Sequence, residues 1–351
     1  MIKKLRLLLL PFSLIYGVVT LVRNKFYDWG LFRSVKFNLP VICVGNLVVG
    51  GSGKTPVTEY LVHLLDDYKI AILSRGYGRK TKGFILADGA ATAETIGDEP
   101  MQFYCKFPEV TVAVCEDRVK GIELLKEHHD LIILDDAFQH RRVKAGFNIL
   151  LFEYQKLLRP QFLLPAGNLR ELFLGYRRAE SLLITKIPAS LNIEGKKQVL
   201  KKFKKGNIPA FSEIKYADLE SVFRGTSSGN ATLVKNMKVF LLTGIANPEP
   251  MISYLSGFGV NVDHHHYADH HQFSLSEIHK LVRAFEREKD KEKIIITTEK
   301  DAQRLSDIRI KELLLNLPVF YLPIRIEIQK EDKVTFDQNI LNYVSSHTRN
   351  R

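Results

Sequence analysis

At 351 residues the chain is long enough for two domains, each with its own core, and 45% hydrophobic with 26% charged residues is ordinary globular composition. The formal charge of +12 is not ordinary and favours an acidic partner such as nucleic acid, anionic lipid or a phosphorylated substrate. Cys43, Cys105 and Cys115 are odd in number and form no C-x-x-C pair, which argues against a disulfide framework or structural zinc and fits a reducing compartment.

In residues 1–36, Lys3, Lys4, Arg6, Arg23, Lys25, Arg33 and Lys36 face the single acid Asp28, half of the net charge in a tenth of the chain. Between Arg6 and Arg23 runs the uncharged, largely apolar stretch Leu7 to Val22, interrupted by Pro11. It lacks the small-residue cleavage site of a secretory signal, and it falls short of the about 20 apolar residues of a spanning helix. Basic flanks around an apolar run suit an interfacial anchor; a helix packed on the protein's own core is the other reading. We read residues 1–36 as an anchoring segment that attaches without spanning.

Val41 to Thr55, V-I-C-V-G-N-L-V-V-G-G-S-G-K-T, is the stretch around which the rest is organised. An apolar, partly β-branched strand leads into Gly50-Gly51-Ser52-Gly53, then Lys54-Thr55, and Val57 to Leu65 carries a helical pattern. Strand, glycine-rich turn and helix are the setting of a phosphate-binding loop. Backbone N–H groups of residues 50–53 would curl around phosphate oxygens, aided by the helix N-terminus. Lys54 would reach the outer phosphates and the Thr55 hydroxyl a magnesium ion. The strict pattern has a glycine where Val48 stands.

Lys69 to Ser74 reads as a strand, followed by the tight basic turn Arg75-Gly76-Tyr77-Gly78-Arg79. At a strand's end in an open α/β sheet, such a turn lies where ligands bind. Asp98 and Glu99 head a helix over Met101 to Lys106, where acids also serve as dipole partners. Thr111 to Val114 is a strand. Leu131 to Asp136 is another, ending in two carboxylates, the Walker-B form in which an Asp beside the loop helps to bind magnesium. A bound cation would relieve the repulsion between Asp135 and Asp136. Asn148 to Phe152 and Ser181 to Lys186 are further strands, and the Pro/Gly loop Leu163 to Glu171 presents Arg170. Pro188 stands where GTP-binding relatives of this motif carry a guanine-reading Asp, so the chain points to ATP.

A lysine-rich helix within Gly195 to Gly206 reads as a solvated face, and Gly225 to Asn230 as a linker. Beyond it, strands at Val239–Thr243, Val260–Asp263, Ile294–Thr297 and Val319–Leu322 alternate with helices at Pro248–Ser256 and Leu275–Arg287. The loop Asp263 to Gln272 holds five of the 11 histidines; with no cysteine cluster beside it, proton transfer is the better use than metal binding. The expected fold is α/β: a P-loop NTPase-type sheet flanked by helices over 37–225, a linker over 226–234, a smaller α/β domain over 235–328, a tail over 329–351 and the N-terminal membrane-associated helix.

V-G-N-L-V-V-G-G-S-G-K-T, S-R-G-Y-G-R, G-D-E-P, L-D-D-A-F-Q-H, L-L-P-A-G-N-L-R-E, A-D-H-H-Q-F and T-T-E-K-D-A occur in that order. Together they resemble the tetraacyldisaccharide 4′-kinases of lipid A biosynthesis, from the N-terminal segment to about Leu305; Val48 is shared with that family's loop. Ala137, Phe138 and Asn168 depart from common family forms and spare every polar residue of interest. The resemblance implies ATP-dependent phosphorylation of the 4′-hydroxyl of a tetraacylated glucosamine disaccharide 1-phosphate at the cytoplasmic face of the inner membrane. It implies Asp98 as base with His270, Lys54 and Thr55 on phosphates and Mg²⁺, and Glu99, Asp135 and Asp136 completing the magnesium and nucleotide surroundings. Tyr77, Gln139, His140 and Arg170 would line the site. The partners expected are the acylated lipid substrate and the membrane surface, with no nucleic acid and no obligate protein partner. The competing class is a membrane-associated P-loop ATPase acting as a regulatory switch.

Overall fold

Val41–Asn46 (β1) is buried at every position. Alternate side chains of a strand point to opposite faces, and here Val41 and Cys43 enter one apolar core while Ile42 and Val44 enter another. A strand covered on both faces belongs inside a parallel sheet. The computed structural model, which describes residues 6–204, 206, 208–223, 231–290, 292–305 and 307–348, has that sheet. Lys3, Lys4 and the expected linker Gly225–Asn230 lie outside the described residues.

The strands that follow are β2 (Ile70–Ser74), β3 (Ile85–Leu86), β4 (Thr111–Val114), β5 (Leu131–Asp135), β6 (Phe147–Glu153), β7 (Ser181–Thr185), β8 (Ala210–Tyr216), β9 (Glu220–Ser221), β10 (Lys238–Thr243), β11 (Asn261–His266), β12 (Lys293–Thr298), β13 (Val319–Leu322) and β14 (Ile324–Ile328). Nine form one sheet in the order β14-β8-β7-β6-β1-β5-β2-β4-β3, and five a second in the order β11-β10-β12-β13-β9. In the first, β1 lies between β5 and β6 with parallel pairing, Val44 beside Asp135 and Val44 beside Ile149. Neighbours so distant in sequence leave the crevice at the carboxyl ends of the strands in which α/β proteins bind ligands.

The chain divides into two compact units, Met1–Ile214 with Ile326–Arg351, and Lys215–Arg325. The second begins before the residues expected as a linker because Ser221 of β9 pairs with Phe320 of β13, and Leu219 and Phe223 are buried in its cores. Residues 330–348 are not a tail. They form the helix Lys330–Thr348, whose Phe336, Ile340 and Val344, four apart and so on one face, are buried in the core that holds Ile42 and Val44. The Tyr343 hydroxyl bonds both the N–H and the carbonyl of Val41, at 3.0 and 3.2 Å.

The N-terminal segment is a short 3-10 turn, Arg6–Leu9, continued by the helix Leu10–Asp28. By length and composition it could cross a membrane. Its buried residues are the small Ser13, Gly17 and Thr20, whereas Leu14 (72%), Ile15 (63%), Val18 (60%) and Val19 (59%) are exposed. The helix is thus sorted in reverse, with a narrow polar stripe on the protein and a broad apolar face outside. A side chain at position 17 would meet Leu163 Cδ1 at 2.7 Å, so glycine there permits the close approach. The Ser13 hydroxyl donates to the Leu163 carbonyl and accepts from the Ala166 N–H, both at 3.0 Å. Tyr16 donates to the Arg170 carbonyl at 2.7 Å and Arg23 to the Gln139 carbonyl at 2.8 Å. The stripe therefore grips two loops of the candidate site.

Candidate nucleotide and phosphoryl-transfer site

The loop after β1 turns on Gly50 and Gly53, at φ 101° and 87°, left-handed values that favour glycine. Asn46, the last residue of β1, donates to the Ser52 hydroxyl at 2.7 Å and to the Gly50 carbonyl at 3.3 Å, pinning the loop from inside. Ser52 is buried and its hydroxyl is taken up by Asn46, so its side chain braces the loop from inside. Thr185, at the end of β7, donates to the Ser52 carbonyl at 2.7 Å, and Lys186 reaches the Gly51 carbonyl at 2.6 Å. Val48 replaces the usual glycine because this residue is extended. It bridges antiparallel to Leu169, with Val49 N–H bonded to Asn168 O at 2.9 Å and Arg170 N–H to Leu47 O at 2.7 Å. The loop is thereby stitched to the segment that carries Arg170.

Lys54 and the buried Thr55 open the helix Lys54–Leu64. The Lys54 ammonium lies 3.7 Å from Asp136. Asp136 has left-handed backbone, φ 49°, and its two oxygens accept the Arg170 guanidinium at 2.8 and 3.0 Å. Burial opposes ionisation of Asp136, but Lys54 and Arg170 outweigh it and hold the carboxyl below its ordinary value. Asp135, one residue earlier at the end of β5, is buried at 1% exposure.

Arg170 also meets Gln139 Oε1 at 3.3 Å, and the Gln139 amide donates to the Asn46 carbonyl at 2.9 Å and to Glu171 at 3.1 Å. Glu171 is buried; it accepts Arg178 at 2.7 and 2.9 Å and Asn24 of the N-terminal helix at 2.9 Å. Lys54, Asp136, Arg170, Gln139, Glu171 and Arg178 thus form one connected chain in which three cations alternate with two carboxylates. His140 follows Gln139 in the same turn, its backbone N–H bonded to the Ala137 carbonyl at 2.8 Å. Burial, then the nearby Arg118, lower it to about 4, so it is a neutral imidazole at neutral pH.

Tyr77 stands 77% exposed on the turn after β2. That turn packs on the next motif: a Cβ at Gly97 would lie 3.0 Å from the Tyr77 carbonyl, and one at Gly76 would lie 2.7 Å from Ile96 O. Asp98 and Glu99 are half-buried at the head of the helix Asp98–Lys106. Glu59 of the loop's own helix clamps that helix, accepting Gln102 and Lys106 at 2.7 Å each. Because β1, β2 and β5 are parallel neighbours, Tyr77, Asp98 and Glu99 share the carboxyl edge of the sheet with the phosphate loop.

His270 belongs to the second unit. The expected histidine loop is shorter than its sequence suggested, since residues 261–266 extend β11 in register with β10, Thr243 opposite His266. His264 bonds Thr243 at 2.8 Å and stacks on His266. His271 bonds Glu277 at 2.9 Å and stacks on Tyr267. His270 is exposed, with φ 60° and Nδ1 3.2 Å from Arg304. Among the described residues, no three His, Cys, Asp or Glu side chains gather into a metal cage. Magnesium, which keeps waters and takes one or two carboxylates plus phosphate oxygens, needs no such cage. The Thr55 hydroxyl and the Asp135 carboxylate are oxygen donors of the required kind at the loop. Sequence assigns no site role to Asn46, Lys186, Glu171, Arg178, Asn24 or Arg304, although Asn46, Lys186 and Glu171 lie inside recognised motifs.

A glycine loop between a buried strand and a helix, beside a parallel strand ending in carboxylates, defines a P-loop nucleotide-binding protein. The family model described as tetraacyldisaccharide-1-P 4′-kinase matches residues 5–344, and the chain belongs to that family. It is 44% identical to a tetraacyldisaccharide 4′-kinase of Bacteroides thetaiotaomicron, covering 97% of this chain and 94% of that protein. It is 44% identical to one of Flavobacterium psychrophilum, covering 99% of each. The crystal structure of LpxK from Aquifex aeolicus in complex with ATP superposes with a TM-score of 0.77 at 31% identity, over 97% of this chain and 99% of that one.

Proposed function

We propose that the chain transfers the γ-phosphoryl group of ATP to the 4′-hydroxyl of a tetraacylated glucosamine disaccharide 1-phosphate, a lipid A precursor. The observation that carries this reading is the group of Lys54, Asp136 and Arg170 built onto the phosphate loop, within a family of kinases for that acceptor. Phosphoryl transfer asks a protein for positioning and charge rather than covalent chemistry. Backbone N–H groups of residues 50–53 hold the phosphates. Lys54 and Arg170, set by the shared Asp136 carboxylate, stand where negative charge spreads as the γ-phosphoryl group moves.

Asp98 accepts the proton of the attacking hydroxyl while its oxygen bonds to the γ-phosphorus and the bond to the β-phosphate oxygen breaks, releasing ADP. His270 assists at the acceptor side. Thr55 and Asp135, with Glu99 nearby on the same edge, would hold Mg²⁺, which when bound neutralises phosphate charge. Asp136, already answering two cations, orders those cations instead. Tyr77 and Gln139 line the acceptor and nucleotide sides, and neutral His140 closes the turn after Asp136 through the Ala137 carbonyl.

An acylated acceptor accounts for the reversed N-terminal helix. Its apolar face lies in the cytoplasmic leaflet of the inner membrane while its polar stripe stays on the protein, so the helix attaches without spanning. Deleting it would also remove the Ser13, Tyr16 and Arg23 bonds to the site loops, so the clean test replaces only the outer face. Leu14, Ile15, Val18 and Val19 changed together to Ser should release the protein from anionic lipid vesicles and leave ATP binding intact. Burying each such side chain is worth about 1.5–3 kcal/mol, so even half of that over four gives about 3–6 kcal/mol and at least a 100-fold loss of partitioning. Unchanged vesicle binding in a flotation assay would sink the anchoring role.

The switch reading is disfavoured by Pro188 at the guanine-reading position and by the family. ATP turnover measured with and without an acylated disaccharide 1-phosphate separates the two. Acceptor-dependent ADP release is expected; equal hydrolysis without acceptor would support the switch.

A further inference from the structure

The T-T-E-K-D-A motif lies in the second unit, where β12 ends in Thr298 and the short helix Glu299–Arg304 follows. Asp301 and Arg304, three apart and so on one helix face, form a pair whose side chains are 0% and 1% exposed. Asp301 Oδ2 accepts the Gly244 N–H at 2.9 Å and the Thr298 hydroxyl at 2.7 Å, and Oδ1 accepts Arg304 Nη1 at 2.6 Å. Arg304 Nη1 also donates to the Gly244 carbonyl at 3.3 Å, the same oxygen that accepts the His270 backbone N–H at 3.0 Å. Arg304 Nη2 then faces His270 Nδ1 at 3.2 Å. Asp301, Arg304 and Gly244 therefore fix His270 at both backbone and ring, in a left-handed conformation.

We propose that Arg304, oriented by Asp301, is a positioning residue that holds His270 as the neutral tautomer with its proton on Nε2. A guanidinium has only donors, so the Nδ1 atom facing it must supply the lone pair; an imidazolium would set N–H against N–H. The ring proton is then on Nε2, with Asp269 Oδ1 4.0 Å away. With its lone pair turned to Arg304, His270 can act in the reaction only as a hydrogen-bond donor through Nε2, and not as a second proton acceptor. A buried ion pair is weak evidence of a stabilising role, whereas one that ends on an exposed histidine has a directional one. For catalysis this rests on the proposed role of His270; the tautomer itself does not.

The test uses full-length protein labelled with ¹⁵N-histidine, the His270 ring signals being assigned by their loss in His270→Gln. Long-range proton–nitrogen correlations should show Nδ1 unprotonated and Nε2 protonated near neutral pH. An Nδ1–H tautomer or an imidazolium there would overturn the proposal. Arg304→Lys keeps a charge for Asp301 but loses the planar fork, so it should mix the tautomers and lower kcat about 10–100-fold, the range known for orienting partners of metal-bound histidines, with KM for ATP unchanged. Wild-type kcat in a folded Arg304→Lys would also overturn the proposal, and if that variant does not fold the wild-type spectrum decides alone. Wild-type kcat in His270→Gln would instead remove the catalytic reading of His270 and leave the tautomer assignment to stand on the spectrum.

Discussion

Lys54→Ala should lower kcat at least about 10²–10³-fold, the cost of removing one preorganised charge-stabilising donor, while the protein stays folded. Lys54 makes an ion pair with Asp136 at 3.7 Å, and Asp136 keeps its two-pronged contact with Arg170 when that lysine is gone. The loop's shape rests on Asn46, Thr185 and Lys186, none of which needs the Lys54 side chain. A melting temperature close to wild type together with a collapsed turnover is therefore expected. Near wild-type turnover in a purified variant would remove Lys54 from the nucleotide site.

Asp98→Ala and His270→Ala should each lower kcat strongly, on the order of 10²–10⁴-fold for loss of acid–base machinery, with ATP affinity almost unchanged. Neither residue belongs to the phosphate loop. Asp98 opens a helix clamped to the loop's helix through Glu59, and His270 stands on the second unit. If the two act as one device, the double variant should be little worse than the poorer single one, as groups that work together are strongly non-additive. Multiplying losses would assign them independent tasks. Loss of ATP binding in Asp98→Ala would move that residue among the magnesium donors.

The parts legible in sequence were those whose chemistry is local. A glycine turn with Lys-Thr, a strand ending in Asp-Asp and a basic apolar N-terminus each carry their signal within one continuous stretch of chain. Val48 departs from the strict loop pattern, and its bridge to Leu169 gives that departure a structural reason. Glu171 could not be ranked, because Asn24 reaches it from 147 residues away, and no spacing rule reports such a contact. The histidines of 264–266 read as loop because they are polar; pairing with β10 overrode that preference, as tertiary context does in strands. The helix Lys330–Thr348 has a sequence signal, Phe336, Ile340 and Val344 repeating every four residues, but its charged flanks mask the pattern. Ile324, Ile326 and Ile328 of β14 likewise alternate in a plain strand pattern.

The central claim is tested most directly by incubating the purified protein with γ-labelled ATP, Mg²⁺ and a tetraacylated glucosamine disaccharide 1-phosphate in detergent, then locating the new phosphate by mass spectrometry and phosphorus NMR. The account predicts one labelled phosphate per acceptor, on the 4′-oxygen, formed by the wild type and nearly lost in Lys54→Ala. Label released only as inorganic phosphate, or placed at another oxygen of the sugar, would contradict it.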